Sequence, residues 1–309
     1  MGHKTGLCSS EYIRGGVLMY SILQNVVCEG DNMKKSNLVK AFAVMAIMAA
    51  GAFFAGCANP SDGSGSSAGG TSGGSTGGSS YSAKYAVGDI ILNDGSKVNY
   101  ETAKTFTGSN LDELKSKAIA VIFRADTASK KALGVGLKHD RNGLAWCIID
   151  ANAFNKNIET IQCPASGDAG NLTFTVDTDG SDNLEQIASF LTTAGLADDT
   201  TGTDADTRYP AFYFAKNYKT TATNLGAAYE NGWYLPTVAE LFDIWKVKAT
   251  VDAASSLCGG SQFDASYYWS SSQYASNDKG AYKVSFSNGT CSDHPKVYCI
   301  YVCAVRAFN

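Results

Sequence analysis

The last quarter of the chain combines three well-patterned blocks with a segment that has no amphipathic period. The blocks are residues 232–241 (GWYLPTVAEL), 268–272 (YWSSS) and 304–308 (AVRAF). Between the last two blocks, residues 273–303 mix Ser, Asn, Asp, Tyr, Cys, His and Thr. Strictly patterned anchors on both sides of such a mixture predict a rigid framework that presents a binding surface.

These three blocks resemble the C-type lectin fold of the formylglycine-generating-enzyme type. Within that group they are most similar to the variable proteins of diversity-generating retroelements, in the treponemal lipoprotein form. The resemblance covers about residues 81–309 and is strongest after residue 209. It implies an α+β fold with mixed short antiparallel strands and two or more packed helices. Related lipoproteins and fimbrial-type domains carry similar blocks without a variation system, so the blocks indicate the fold better than the retroelement.

The segment before the domain has the pattern of an export signal. Residues 33–35 (Met-Lys-Lys) begin a cationic start, and residues 41–55 form an apolar run that is too short for a membrane-spanning helix. The run ends in Phe-Ala-Gly-Cys at 54–57, which resembles a bacterial lipobox. We expect a lipoprotein signal peptide over 33–57 with Cys57 as the lipidated residue. The alternative is a plain secretory signal with a chance cysteine.

Two further segments flank this signal. Residues 1–32 precede any natural start for such a signal and are expected to be an over-extended gene start. Residues 58–80 are rich in Gly and Ser, a composition that predicts a flexible tether because it has little apolar surface to bury. The expected location is therefore exported and lipid-anchored at the cell envelope, at the outer membrane and exposed on the surface.

The remaining residues, 81–309, are enough for one large domain. The formal net charge is −4, which argues against a general electrostatic grip on nucleic acid. Aromatic residues make up 11% of the chain and 16 of them are tyrosines. Tyrosine supplies large contact area at low entropic cost, as in other binding surfaces.

The chain has nine cysteines, six of which fall in the expected domain. These six are Cys147, Cys163, Cys258, Cys291, Cys299 and Cys303. They form no CxxC pair and no Cys/His cluster with zinc spacing, so no metal site is predicted. Cys299 and Cys303 on one strand would lie about 13 Å apart, beyond disulfide reach. A bridge elsewhere, for instance Cys147 with Cys163, stays open.

Local signals predict several strands in the first part of the domain. Apolar runs at 89–92 and 97–100 flank Asn-Asp-Gly-Ser at 93–96, which is a strong hairpin signal. Residues 118–123 and 132–137 are continuous apolar runs of the kind found in buried strands.

Two helices are predicted from capping signals. Asp182 followed by Glu185 resembles a capping box for a helix that stops near Gly195. The acidic run just before it lacks the glycine position and distal Glu of a calcium loop, so a helix-capping turn is preferred. Thr237 with Glu240 predicts a second capping box. Trp245 is expected on the core side of this second helix.

The C-terminal segment is predicted to form strands. Alternation over 281–287 indicates a half-exposed strand, followed by a tight turn at Asn288-Gly289. The face carrying Ser285 and Ser287 should then be displayed together with a loop at 290–296. The run 297–305 is apolar on both faces and predicts one central strand, with Arg306 ion-paired where it ends.

Catalytic signals are weak. His139 and His294 have no motif around them, and no GxSxG, HExxH or Walker-type loop occurs. We therefore expect neither an enzyme nor a cofactor. The resemblance offers one alternative, because formylglycine-generating enzymes are oxidases that use a C-terminal cysteine pair with copper. Cys299 and Cys303 lie in that region, but their spacing differs from that of the active pair.

The resemblance also implies which residue types vary. In the variable-protein family, asparagine codons are hypermutated at adenines, and the outcomes never include Lys, Glu, Gln, Met or Trp. Residues 285–303 contain many of the permitted types, whereas Lys279, Lys283 and Lys296 fall outside the set and are expected to be framework.

The predicted function is a surface lipoprotein that binds a macromolecular ligand, an unknown protein or glycan, through a diversified face at about 273–303. The alternative is a fixed-sequence adhesin or envelope-binding lipoprotein of the same fold. The ligand-binding residues predicted on this face are Tyr274, Ser276, Asp278, Tyr282, Ser285, Ser287, Asn288, Thr290, Cys291, Ser292, Asp293, His294, Tyr298 and Tyr301.

Overall fold

A computed structural model describes residues 81–309 of the chain. The expected signal peptide, the lipidation site Cys57 and the tether lie outside the described residues. None of the helices in the described part is long and apolar enough to cross a membrane.

The described residues form an α+β structure of short strands and short helices. The strands are β1 (Ile90–Leu92), β2 (Lys97–Val98), β3 (Ala118–Arg124), β4 (Ala132–Gly136), β5 (Asp140–Leu144), β6 (Ala165–Ser166), β7 (Thr173–Phe174), β8 (Trp233–Tyr234), β9 (Tyr267–Gln273), β10 (Gly280–Ser285), β11 (Cys291–Pro295), β12 (Ile300–Val302) and β13 (Val305–Phe308). The helices are α1 (Tyr100–Ala103), α2 (Gly108–Lys117), α3 (Asn183–Thr193), α4 (Gly202–Arg208), α5 (Pro210–Lys216), α6 (Val238–Lys246) and α7 (Lys248–Leu257).

The strands are arranged in two main sheets and a small hairpin. The six-stranded sheet has the order β2-β1-β3-β4-β13-β8, and all its pairs are antiparallel. The five-stranded sheet has the order β11-β10-β9-β12-β5, with one parallel pair between β12 and β9. Strands β6 and β7 pair separately. Neither main sheet closes into a barrel within the described residues, which agrees with the predicted α+β class.

The local signals in the first half of the domain predicted the structure correctly. Strands β1 and β2 form the predicted hairpin, and Gly95 in its turn has a φ of +86°. Strand β3 is buried along nearly its whole length and pairs with β1 and β4. A strand buried on both faces needs apolar residues at consecutive positions, which explains its unbroken apolar sequence.

Helix α6 begins with the predicted capping box. The Thr237 hydroxyl accepts from the Glu240 backbone N–H, and the Glu240 carboxylate accepts from the Thr237 N–H at 2.8 Å. The buried aromatic side chain of this helix is Phe242, and Trp245 is half-buried and stacks on it with ring centroids 5.3 Å apart. The prediction that Trp245 faces the core therefore holds only in part.

The capping box predicted at Asp182 is absent. Helix α3 begins there, but the Asp182 side chain makes no capping bond and instead accepts from Gln186 Nε2 at 2.8 Å. A short 3₁₀ helix, Gly180–Asp182, precedes α3, and its own N-cap is Asp179, whose side chain accepts from the Ser181 N–H. The side-chain cap is therefore made by Asp179 at the start of the 3₁₀ helix, about one turn earlier than the sequence pattern predicted.

The C-terminal predictions need three corrections. Residues 291–295 form strand β11 and not a loop, because they pair with β10 along its length. The run 297–305 is not one strand, since residues 296–299 turn and the chain then passes from one sheet as β12 to the other as β13. Arg306 donates to three backbone carbonyls and forms no ion pair within residues 81–309.

Two apolar cores support these sheets. One contains Trp146, Tyr209, Tyr218 and Trp269, and the other contains residues of β3, β4, α6 and α7 together with Tyr268 of the five-stranded sheet. Trp233 is buried and donates its indole N–H to the Tyr229 carbonyl at 2.7 Å.

Candidate ligand-binding surface

The five-stranded sheet exposes part of one face at the hairpin of β10 and β11. Lys283 of β10 lies between Ser292 of β11 and Trp269 of β9, so these three side chains share a face. His294 is two residues beyond Ser292 and lies on the same face. Tyr267, opposite Ser285, extends this face along β9.

Five side chains form what we term the outer patch: Tyr267, Lys283, Ser292, His294 and Tyr298. Tyr267 and Tyr298 are 43% and 48% exposed, which is unusual for rings of this size in the domain. The Lys283 ammonium lies 3.9 Å from the Tyr267 ring centroid, within cation–π range. The His294 and Tyr298 rings lie 4.6 Å apart. The outer patch thus presents one cation–π pair and one pair of aromatic rings.

Trp269 fixes the outer patch from below. Its ring is fully buried and lies 6.2 Å from the His294 ring. Its indole N–H donates to the carbonyls of Leu144 at 2.9 Å and Tyr298 at 3.2 Å. The indole therefore ties the backbone at Tyr298 to strand β5, while the Tyr298 side chain stays free to contact solvent.

Partial burial shapes the charges of the outer patch. Desolvation lowers the pKa of Lys283, and the nearby Asp293 carboxylate only partly opposes it. Desolvation followed by repulsion from Lys283 lowers the pKa of His294 below 6.5. At neutral pH the imidazole is therefore uncharged and can both donate and accept a hydrogen bond.

The structure divides the predicted binding residues among four places. Ser292, His294 and Tyr298 belong to the outer patch. Ser287, Asn288 and Thr290 lie at the turn between β10 and β11, whereas Tyr274, Ser276 and Asp278 lie in the loop between β9 and β10, at the opposite end of the hairpin. Tyr282, Cys291, Asp293 and Tyr301 lie on the inner face of the sheet or at its margin. They do not form one continuous face.

Two predicted residues are not displayed. Tyr282 is 7% exposed because it points toward the second core, where its ring lies 5.0 Å from that of Tyr274. Ser285 is 3% exposed, and its hydroxyl lies 2.7 Å from that of Ser287. Every residue of β10 except Lys283 is buried, contrary to the half-exposed strand predicted from alternation.

Lys296 is part of the framework, as predicted from its residue type. It is fully buried, and its ammonium donates to the carbonyls of Asp278 at 2.7 Å and Phe154 at 3.2 Å. It also lies 4.7 Å from the Trp146 ring centroid. Burial lowers its pKa to about 8. This lysine joins the loop before β10 to the segment at residues 153–154.

The cysteines give little support to thiol chemistry. Cys147 and Cys163 are buried and free, so the bridge left open between them is not formed. Cys303 is also buried, and burial raises the pKa of its thiol well above its ordinary value. A buried, protonated thiol is a poor nucleophile. Within residues 81–309, no three His, Cys, Asp or Glu side chains are placed to hold a metal ion.

Sequence reasoning missed Tyr267 and assigned Lys283 to the framework. Strand alternation could have found Tyr267, because it lies next to the YWSSS block and points away from Tyr268. The partial exposure of Lys283 depends on β11 being a strand, and residues 291–295 show no clear period in the sequence.

Comparison with known proteins identifies one family. The model of the Lcl C-terminal domain matches residues 137–306. No curated protein matches the sequence. Among solved structures, a fimbrial protein from Bacteroides ovatus ATCC 8483 is similar at 14% identity, with a TM-score of 0.47. That alignment covers 72% of this chain and 49% of the fimbrial protein, so the chain spans about half of its length.

Proposed function

The chain belongs to the Lcl C-terminal domain family, a C-type-lectin-like family, and on that premise we propose that it is an adhesin-like protein that binds a macromolecular ligand. The outer patch is the proposed contact surface. The observation that carries the proposal is the contrast between this patch and its support. Exposed Tyr and Ser side chains and half-buried His and Lys side chains surround a fully buried Trp269, whose indole N–H ties Tyr298 to strand β5.

The chemistry of the outer patch favours a protein or glycan ligand. Exposed tyrosines are frequent anchors in binding interfaces, since they bury much apolar area and keep a polar hydroxyl. The neutral His294 and the Ser292 hydroxyl supply directional hydrogen bonds. No cofactor or catalytic group takes part in this proposal.

Binding is tested with the full chain on arrays of glycans and extracellular proteins. Lys283→Gln and Tyr298→Ser should each weaken binding to any captured ligand about tenfold or more, as for central interface residues. Lys115→Gln is the matched control, because Lys115 is exposed on helix α2, outside the outer patch. If both patch variants bind as the wild type does, the contact surface lies elsewhere.

Display at the cell surface by a lipid on Cys57 is a separate part of the proposal. It is supported by the lipobox-like sequence and the Gly/Ser-rich segment that follows it. Growth with a labelled fatty acid should label the wild type but not Cys57→Ser. Protease added to intact cells should remove the domain; protection of the domain would place it inside the envelope.

The most specific part of the proposal is that a retroelement diversifies residues of the outer patch. The residue types of Ser292, His294 and Tyr298 belong to the set that adenine mutagenesis of asparagine codons can produce. The neighbouring DNA should then encode a reverse transcriptase and hold a near-copy of the terminal segment that differs only at adenines. If neither is there, the fixed-sequence adhesin or envelope-binding protein replaces this interpretation.

The oxidase alternative can be tested directly. The wild type should not oxidise cysteine-bearing peptides supplied with copper and oxygen. Neither Cys303→Ser nor Cys299→Ser should then change the measured turnover. Turnover by the wild type that either variant abolishes would contradict a binding role alone.

A further inference from the structure

A second candidate site lies beside strand β8, at the edge of the six-stranded sheet. Two cavities of about 650 Å³ and about 260 Å³ open there, and Ser181, Gly232 and Tyr234 line both of them. The shared residues place the two cavities side by side. Neither cavity is lined by a residue of the outer patch, so this site is independent of the proposed binding face.

The larger chamber is cationic. Arg124, Lys130, Lys131 and Arg306 line it, and Asp179 is the one acidic side chain in its lining. Lys130 and Lys131 are exposed, and neither forms an ion pair with any carboxylate of residues 81–309. The uncompensated charge favours an anionic ligand.

Both arginines keep hydrogen-bond donors for such a ligand. Arg124 Nη1 lies 3.4 Å from Asp243, but its buried Nε has no hydrogen-bond acceptor within the described residues. Arg306 uses three donors on backbone carbonyls, and its guanidinium lies 4.8 Å from the Tyr229 ring and 5.4 Å from the Phe308 ring. A guanidinium has five N–H groups, so two remain. Both cations are held in place before a ligand arrives.

The smaller chamber is mainly apolar. Leu184, Phe212, Trp233 and Leu235 contribute to its walls, and the Lys216–Glu185 ion pair at 2.6 Å is part of its lining. These two lining charges are already paired. An apolar group of a ligand would therefore pack against the apolar walls of this chamber, next to the cationic one.

We propose that the paired chambers bind an amphipathic carboxylate. The carboxylate would accept from the guanidinium N–H groups that line the larger chamber and from the lysine ammonium groups, and an aromatic or branched apolar group would enter the smaller chamber. A planar monoanion matches the guanidinium fork. A polyanion is disfavoured, because Asp179 lines the chamber and Glu240 and Asp243 lie behind Arg124.

The probe is 3-phenylpropionate, titrated calorimetrically into the full chain beside 3-phenylpropanamide, propionate and inorganic phosphate. The probe should bind about tenfold more tightly than the amide, which lacks the charge, and than propionate, which lacks the ring. Equal binding of the amide, or binding of phosphate without the probe, would overturn the proposal, since either would show that one chamber does not contribute.

Two sets of variants locate the binding. Lys130→Gln with Lys131→Gln should weaken probe binding about fivefold or more, whereas Lys115→Gln with Lys279→Gln, an equal loss of charge at exposed positions elsewhere, should not. Ser181→Trp places a ring at the exposed junction of the chambers without disturbing the core and should abolish binding. Tyr298→Ser, in the outer patch, should leave it unchanged. Probe binding that survives both chamber changes contradicts the site.

Discussion

At the scale of single residues, Glu240 joins three parts of the fold. Its carboxylate accepts from the Thr237 N–H at 2.8 Å, from the Tyr234 hydroxyl at 2.8 Å and from the Gly180 N–H at 3.3 Å. The side chain is fully buried, and burial raises its pKa to about 7, although these hydrogen bonds and Arg124 lower it. Helix α6, strand β8 and the 3₁₀ helix at Gly180–Asp182 therefore share one titratable group.

Glu240→Gln should change how stability depends on pH. The folded-state pKa is raised from 4.5 to about 7, so the folded protein binds the proton more tightly than the unfolded chain. The contribution of Glu240 is fully present below pH 4.5 and is lost as pH rises through 7, amounting to about 3 kcal/mol. Urea unfolding between pH 6 and 7.5, which covers the upper part of that range, should show wild type losing about 1 kcal/mol relative to Glu240→Gln.

The test compares the free energy of unfolding of wild type with that of Glu240→Gln at each pH, because other groups also titrate. Burial lowers the pKa of His139 to about 3, which makes stability fall as pH drops below 6.5, opposite to Glu240. Burial raises the pKa of Asp177 to about 6, so its contribution to the free energy of unfolding no longer changes with pH above that value. Asp177→Asn should therefore leave the change between pH 6 and 7.5 intact. Parallel curves for wild type and Glu240→Gln would contradict the assignment.

Lys296 offers a second test at this scale. Lys296→Ala removes the donor for the carbonyls of Asp278 and Phe154 and leaves a cavity against Trp146. Unpaired buried carbonyls make the loss about 3 kcal/mol in the free energy of unfolding. Lys279→Ala, at an exposed position, is the control and should change stability by less than about 0.5 kcal/mol. Equal denaturation midpoints for the two variants would show that the Lys296 side chain does not stabilise the fold.

At the scale of elements, the turn between β10 and β11 rests on helix α6. Gly289 has a φ of +71°, and a Cβ built there would lie 2.6 Å from Trp245 Cε2. Gly259, with a φ of +70°, has no atom within 4 Å of a built Cβ. The two glycines share backbone conformation and differ in their surroundings.

This pair separates backbone strain from packing. Gly259→Ala should cost about 1 kcal/mol for the left-handed conformation alone. Gly289→Ala should cost a further 1–3 kcal/mol or so, because the methyl group must displace the Trp245 ring. Thermal unfolding of both variants measures the difference. If Gly289→Ala is no worse than Gly259→Ala, the turn does not rest on the helix.

Elements with local signals were predictable from the sequence, and elements set by distant contacts were not. The Asp-Gly turn of the β1–β2 hairpin and the capping box of α6 depend on a few neighbouring residues, and both are present. The break after β11 depends on Lys296, whose ammonium binds carbonyls more than a hundred residues away. No local pattern over 291–305 encodes that contact, so the run was predicted as a loop and one strand.

At the scale of the whole molecule, the outer patch is separate from the cores that stabilise the fold. Two adjacent tyrosines of β9 show the division: Tyr267 is 43% exposed, whereas Tyr268 is fully buried against Phe263 and Phe286. The sequence predicted a surface with variable side chains on a fixed support. It placed too many residues on that surface, since Tyr282 points toward the second core and Ser285 is also buried.

The adjacent tyrosines also provide a test of tolerance. Tyr267→Ser should change the free energy of unfolding by less than about 1 kcal/mol, as expected for an exposed side chain. Tyr268→Ser should cost about 3–5 kcal/mol, because it removes a large ring from the second core. Chemical denaturation of the two variants checks this. Similar losses would mean that the outer patch cannot change its side chains freely.

The order of strands in the two sheets makes the end of the chain indispensable to both. Strand β12 lies between β9 and β5, and β13 lies between β4 and β8. A ribosome that halts before residue 300 therefore releases a polypeptide that lacks both strands, so β5 and β8 lose the neighbours that join them to their sheets. We expect such a product to leave both sheets incomplete and to be degraded. We therefore expect a shifted reading frame before residue 300 to remove both strands, whereas a single base exchange there would leave them in place.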